Sequence, residues 1–217
     1  MKVYHFLRAD DAINDLRKRG IKISTFSDLN DPFEFLNCGM SAKDIQDALK
    51  ETMEEIYKKC GVICFSKNWS NTLLWSHYAD KHKGICLGFE VPDDKLAAVD
   101  YISNKKALCA EFEKIIGQNS HDEEIIMNKL LLSKYKGWDY EDEVRVFAPL
   151  DEKDNNGNCF MDFSVFSGLK QVIIGVRCDK TTTEKIKECV KGYDGIEVIK
   201  AQLDFETFKI VETLEIE

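Results

Sequence analysis

The sequence predicts an α+β fold with a mixed, mainly antiparallel sheet, flanking helices and a helical lobe around residues 104–136. Strand and helix patterns follow one another without the strict βαβ regularity of doubly wound folds. Apolar residues make up 44% of the 217 residues, which is enough for a sizeable core. The glycine- or serine-based motifs GxGxxG, GxxxxGKS/T and GxSxG, typical of Rossmann, P-loop and α/β-hydrolase folds, do not occur. The length suits a single domain over residues 1–217.

In the first half of the chain, apolar runs and apolar–polar alternation predict strands. These strands are 3–7, 21–26, 62–65, 84–91 and 98–102. Apolar residues at spacings of three and four predict helices over 9–19, 41–59 and 71–80. Gly20 and Gly61 end the first two helices, and Ser70 or Asn71 caps the third.

The second half begins with residues 104–136, which are mostly helical and interrupted near 117–120. Alternation predicts a strand over 141–147, and the polar run 151–158 is a loop. A strong central strand follows, then a helix capped by Asp179 or Thr181, then two terminal strands. In order, these elements cover 171–177, 181–191, 196–201 and 207–214.

The net charge of −9 makes nucleic acid a poor default partner, although a local basic groove remains compatible with the sequence. A small molecule or another protein is the expected partner, and the sequence does not indicate an oligomeric state. The N-terminus turns polar before an apolar signal region forms, and no run approaches the length of a membrane span. We therefore expect a cytoplasmic protein without a membrane partner.

The eight cysteines include no CxxC pair, and several lie in apolar runs. They are expected to be reduced structural thiols. His77 and His82 form only a lone pair, so neither a zinc site nor another metal cofactor is expected.

Three segments carry candidate chemistry. Residues 30–34 (NDPFE) form either a rigid turn or a preorganised loop that presents Asn30, Asp31 or Glu34 to a ligand. Residues 66–84 place Trp75, His77 and Tyr78 on a short helix after Ser66. That helix is either an aromatic core helix or a platform for a planar ligand.

The third segment is residues 138–145 (WDYEDEVR). On a strand, Glu141, Glu143 and Arg145 project to one face, and Val144 projects to the other. The charged face is either solvated, with ion pairs worth little, or a site where Arg145 holds a carboxylate ionised or binds an anion.

The chain resembles the bacterial, uncharacterised domain of unknown function 2971 family. The matching segments are YHFL near the N-terminus, LNDPFE at 29–34, CFS at 64–66, LLWSHYADKHKGICLGFE at 73–90, and Lys134 with WxYExExR at 138–145.

The chain is more distantly similar to the ADP-ribosyltransferase fold. This likeness implies NAD as substrate, in an enzyme of defence or toxicity. It implies that His5 contacts the adenosine half, that Tyr78 stacks on nicotinamide, and that Glu143 binds the ribose and favours an oxocarbenium-like transition state.

The candidate catalytic residues are thus Glu143, Glu141 and Tyr78. The candidate ligand-binding residues are His5, Asn30, Asp31, Ser66, Trp75, His77 and Arg145. Two alternatives remain open. One is a metal-dependent hydrolase, with Asp31, Glu34, Glu141 and Glu143 on Mg²⁺. The other is a non-catalytic module that binds a ligand or protein.

Overall fold

A computed structural model describes residues 1–34, 43–115 and 120–213 of the chain. The strands are β1 (Lys2–Leu7), β2 (Gly20–Lys22), β3 (Cys60–Ser66), β4 (Ile85–Glu90), β5 (Ala97–Ala98), β6 (Asp100–Ile102), β7 (Ser133–Tyr135), β8 (Glu143–Pro149), β9 (Phe160–Asp162), β10 (Leu169–Ile174), β11 (Glu197–Asp204) and β12 (Lys209–Glu212). The helices are α1 (Ala9–Lys18), α2 (Lys43–Lys59), α3 (Thr72–Tyr78), α4 (Lys105–Ile115), α5 (Ser120–Leu132) and α6 (Lys180–Val190).

The main sheet has eight strands in the order β12-β11-β10-β4-β1-β3-β8-β5. All neighbours in it are antiparallel except β10 and β11, which run parallel. Two small ribbons, antiparallel β2–β9 and parallel β6–β7, lie beside it. The predicted α+β class with a mixed, mainly antiparallel sheet is therefore confirmed.

The main sheet is covered on both faces. Neighbouring residues of a strand project to opposite faces, and on β1 two such neighbours pack into different core clusters. On β1, Val3 packs with α1 and α6 in one core cluster. Its neighbour Tyr4 packs in a separate cluster with Trp75 of α3. The central strands are therefore held from two sides, and the cavity described below lies at the end of β1 and β3.

Several boundaries differ from the predictions. The strand predicted over 21–26 ends at Lys22, because Thr25 caps a short 3-10 helix, Phe26–Asp28. The strand predicted over 98–102 divides into β5 and β6, which belong to different sheets. The strand predicted from Glu141 begins instead at Glu143, because Glu141 ends a 3-10 helix (Lys136–Glu141) and Asp142 turns the chain with φ 44°.

Six cysteines are free thiols, as expected: Cys60, Cys64, Cys86, Cys159, Cys178 and Cys189. The expectation is wrong at Cys109, which is disulfide-bonded. Cys38 lies outside the described residues. Among the helices in the described ranges, none is long and apolar enough to span a membrane.

Candidate active site

The three segments singled out in the sequence meet at one cavity of about 470 Å³. Its walls are the ends of β1 and β3, one side of α1, the 3-10 helix after β2, and α3. Lys134 from β7, Glu141 and Glu143 complete the lining. Candidate residues that are far apart in the sequence therefore line the same cavity.

Strand pairing brings these segments together. In the antiparallel β3–β8 pair, Ser66 lies opposite Glu143 and Cys64 lies opposite Arg145. On the other side of β3, Tyr4 of β1 lies opposite Ser66. Because directly opposed residues in antiparallel strands lie about 4.5–5.5 Å apart, β8 is held beside the cavity. The register of three strands thus fixes the position of Glu143.

Lys134 is the centre of a buried ionic cluster. Its Nζ donates to Glu34 at 2.7 Å, to Glu143 at 2.9 Å, and to Glu141. Its side chain is only 4% exposed. Three carboxylates on three separate segments are thus held by one ammonium group, which makes Lys134 the link between the loop at 31–34, the 3-10 helix and β8.

Arg145 is the second cation of the cluster and is fully buried. Its Nε donates to Glu143 Oε1 at 2.7 Å, and its Nη2 donates to Glu34 Oε2 at 2.9 Å. Its Nη1 donates to the carbonyl oxygen of Leu131 at 2.7 Å. Such a planar, multiply bonded guanidinium fixes the carboxylates in one geometry.

The cluster contains three carboxylates and two cations, so full ionisation leaves one net negative charge. Burial acts to raise the pKa of Glu143, but Arg145 and Lys134 outweigh it and lower the pKa to about 2. Burial raises the pKa of Glu141 despite the opposing effects of Lys134 and Tyr78. The excess charge is therefore centred on Glu141, the less well compensated carboxylate.

Tyr78 connects this carboxylate to the loop at residue 30. Its hydroxyl donates to Glu141 Oε1 and accepts a hydrogen bond from Asn30 Nδ2 at 3.1 Å. Burial, together with the charge of Glu141, raises the pKa of Tyr78, so the hydroxyl stays protonated at neutral pH. Asn30, Tyr78 and Glu141 thus form one hydrogen-bonded chain along the cavity wall.

We expect Tyr78→Phe to lower the free energy of unfolding by about 1–2 kcal/mol, because Glu141 and Asn30 each lose a partner. Urea denaturation followed by circular dichroism measures this change. Tyr135→Phe is the matched control, since Tyr135 is 60% exposed. Equal effects of the two substitutions would show that the Tyr78 hydroxyl contributes nothing to the wall.

His5 projects from β1 into the same cavity. Its Nδ1 lies 2.8 Å from the carbonyl oxygen of Cys64, which can only accept, so Nδ1 carries a proton. Burial lowers the pKa of His5, which keeps the ring neutral at pH 7. In this tautomer Nε2 is left as a hydrogen-bond acceptor.

Four of the candidate residues do not line the cavity. Asp31 forms a turn, its Oδ1 accepting from the Phe33 amide at 2.8 Å. Trp75 is a fully buried core residue whose Nε1 donates to the Trp69 carbonyl oxygen at 2.7 Å. His77 is exposed and lies against Trp138 and Tyr140. Arg145 supports Glu143 from behind the cavity wall. Asp31 therefore belongs to a rigid turn, and Trp75 belongs to an aromatic core helix.

Sequence reasoning assigned no role to Lys134 or Asp15, although both lie at the cavity. Lys134 belongs to the family motif, but a single lysine in a helical pattern gives no sign of burial. The described residues contain no group of three or more His, Cys, Asp or Glu side chains arranged to hold a metal ion. The point between Glu34, Glu141 and Glu143 is occupied by the Lys134 ammonium group.

One protein-family model matches residues 74–146, about a third of the chain. The family is described as a protein of unknown function, DUF2971. The matched segment contains most of α3, Lys134, the 3-10 helix and most of β8, so it includes much of the ionic cluster. The predicted resemblance to this family is thereby confirmed. No curated protein matches the chain.

Proposed function

We propose, for a chain whose residues 74–146 match the DUF2971 family model, that the cavity cleaves the N-glycosidic bond of NAD. The reaction is either hydrolysis or transfer of ADP-ribose to an acceptor. The single observation that supports this proposal is the carboxylate of Glu141 at the wall of the cavity, which is the least compensated of the three carboxylates around Lys134. A fixed negative charge in such a place stabilises positive charge that develops on a bound substrate.

The chemistry of N-glycosidic cleavage matches this electrostatic arrangement. The bond between ribose C1′ and the pyridinium nitrogen breaks, and its electron pair neutralises the departing nicotinamide. Positive charge then develops on the sugar, as in glycoside hydrolysis, where a nearby carboxylate favours the transition state. Water adds to C1′ and loses one proton, so NAD and water give nicotinamide, ADP-ribose and a proton.

We assign the stabilising carboxylate to Glu141 rather than Glu143. Glu143 is already bonded to both Arg145 and Lys134, which fix its charge. Glu141 is bonded to Lys134 and to the neutral Tyr78 hydroxyl, and it keeps more of its charge for a ligand. His5, with Nε2 as acceptor, is the group suited to accept the proton of the attacking water.

The hydrolytic alternative with Mg²⁺ has less support. Its ligand set needs Asp31, which lies in a turn, and it needs the position between the three glutamates that the Lys134 ammonium group holds.

The non-catalytic alternative is a module that binds a ligand in the same cavity without converting it. It predicts that ligand binding survives at full strength while no product forms.

The test is to incubate purified protein with NAD and to quantify free nicotinamide by chromatography. We expect release by the wild type and at least a tenfold lower rate for Glu141→Gln, which keeps the shape of the side chain but removes its charge. Glu188→Gln, on the exposed face of α6, is the matched control and should retain the wild-type rate.

Absence of nicotinamide release from the folded wild-type protein would overturn the proposal. Equal rates for wild type and Glu141→Gln would overturn the assignment of Glu141 as the stabilising carboxylate. Tight binding of NAD without release would instead support the non-catalytic module. Circular dichroism of each variant establishes that a lost rate does not come from a lost fold.

A further inference from the structure

A second cavity, of about 300 Å³, lies beside β7 and is distinct from the candidate active site. Ser133 and Tyr135 line it, whereas Lys134 between them directs its ammonium group to the ionic cluster. This division follows from strand geometry, because neighbouring residues of a strand project to opposite faces. Strand β7 is therefore a wall that the two cavities share.

The walls of the second cavity are mainly apolar. They are formed by Phe33, Ile102, Leu108, Leu130 and Tyr135. Leu130 is buried in the core cluster of the helices, and Leu108 packs against that cluster. Phe33 and Tyr135 are instead 68% and 60% exposed, so the cavity is reached from solvent on their side. Pockets for small molecules combine apolar walls of this kind with a few polar groups that fix the ligand.

Lys105 supplies the positive charge of this cavity. It is the first residue of α4, and its Nζ donates to the carbonyl oxygen of Phe33 at 3.3 Å. Within the described ranges, no carboxylate forms an ion pair with this ammonium group. Burial lowers the pKa of Lys105, and the charge of Asp31 opposes this effect only in part. An ammonium group has three N–H donors, so Lys105 retains donors for an anionic ligand.

The surroundings of Lys105 also favour an anion. Asn104 caps α4, its Oδ1 accepting from the amides of Lys106 and Ala107 at 3.0 and 3.3 Å. The start of a helix carries a partial positive charge, which adds to that of the Lys105 side chain. The other lysine of the lining, Lys134, is already bonded to three carboxylates, and no acidic side chain is among the described lining residues.

We propose that this second cavity binds a small apolar carboxylate. The carboxylate accepts hydrogen bonds from Lys105, and the apolar body of the ligand packs between Ile102 and Leu108. A hydrogen bond between an ammonium group and a carboxylate is about twice as strong as one between neutral groups. The net charge of −9 disfavours anions at the surface as a whole, so a bound anion requires a local site of this kind. This site does not depend on cleavage of NAD.

The test uses two carboxylates, the planar 2-naphthoate and the flexible octanoate, in isothermal titration calorimetry at pH 7. We expect at least one of them to bind saturably at a single site. Lys105→Met, which keeps an apolar stem but removes the charge, should bind it at least tenfold more weakly. Lys106→Met is the matched control, since Lys106 is the next residue of α4 but is exposed and outside the cavity lining. The neutral amide of the same ligand should also bind the wild type at least tenfold more weakly.

Ser103→Trp places the binding in this cavity rather than elsewhere. Ser103 lines the cavity and is exposed, so a tryptophan there occupies space without changing the charge. We expect this variant to lose the binding while its circular dichroism spectrum stays that of the wild type. Unchanged affinity in Lys105→Met or in Ser103→Trp would overturn the proposal, as would absence of binding of both carboxylates at millimolar concentration. If Lys105→Met does not fold, Lys105→Gln provides the same comparison.

Discussion

Replacing Lys134 by Met is expected to lower the free energy of unfolding by about 3–5 kcal/mol, the usual cost of removing one partner from a buried ion pair. The loss is large because three buried carboxylates depend on the same ammonium group. Arg145 can compensate Glu34 and Glu143 only in part, and Glu141 keeps only the Tyr78 hydroxyl. The substitution therefore leaves buried negative charge that is only partly compensated by Arg145.

Urea denaturation at pH 8, followed by circular dichroism, measures this effect. Lys136→Met is the matched control because Lys136 lies two residues away and is exposed. If Lys134→Met does not fold, the double variant Lys134→Met/Glu141→Gln should restore folding, since it removes one of the stranded charges. A loss below about 1 kcal/mol for Lys134→Met would show that the cluster does not depend on its ammonium group.

Much of the fold could be predicted because its central strands are apolar runs with local boundary signals. The patterns at 3–7, 84–91 and 171–177 correspond to β1, β4 and β10, which form the middle of the sheet. The division of residues 98–102 into two strands could not be predicted, because β5 pairs with β8 while β6 pairs with β7. A choice between distant partners leaves no periodic signal in a five-residue window.

The candidate site could likewise be predicted from the sequence only in part. Glu143 and Arg145 are two residues apart on one strand, so strand geometry alone placed them on one face. Each has a further partner that strand geometry does not reveal: Lys134 of β7 pairs with Glu143, and Glu34, from the loop after the first 3-10 helix, pairs with Arg145. Lys134 could not be recognised in advance, because its position follows from the parallel pairing of β6 and β7 rather than from local sequence.

Asp15 illustrates a signal that was present in the sequence but ambiguous. It lies between Ala12 and Leu16, at the edge of the apolar stripe of α1. An aspartate at such an edge is usually exposed. In the structure Asp15 is only 1% exposed, and its Oδ2 accepts a hydrogen bond from the Lys22 amide of β2. Polar residues next to an apolar stripe therefore become informative only when the neighbouring elements are known.

Asp15→Asn is expected to remove a pH dependence of stability between pH 5 and pH 8. Burial, with a smaller contribution from Asp11, raises the pKa of Asp15 from its usual 3.8 to about 7. Folding therefore binds a proton at Asp15 across this range, and the free energy of unfolding decreases as the pH rises through 7. From pH 5 to pH 8 this contribution amounts to about 2–3 kcal/mol, at about 1.4 kcal/mol for each pH unit below the pKa.

The measurement compares urea denaturation of wild type and Asp15→Asn at pH 5 and at pH 8. The free energy of unfolding of Asp15→Asn, relative to wild type, should increase by about 2–3 kcal/mol between the two values. Glu143 does not disturb the comparison, because its pKa of about 2 keeps it ionised throughout and it is present in both proteins. Asp10→Asn should follow the wild type at both pH values, since Asp10 is exposed on the same helix. A relative stability of Asp15→Asn that is unchanged between pH 5 and pH 8 would mean that the Asp15 carboxylate is already compensated in the folded chain.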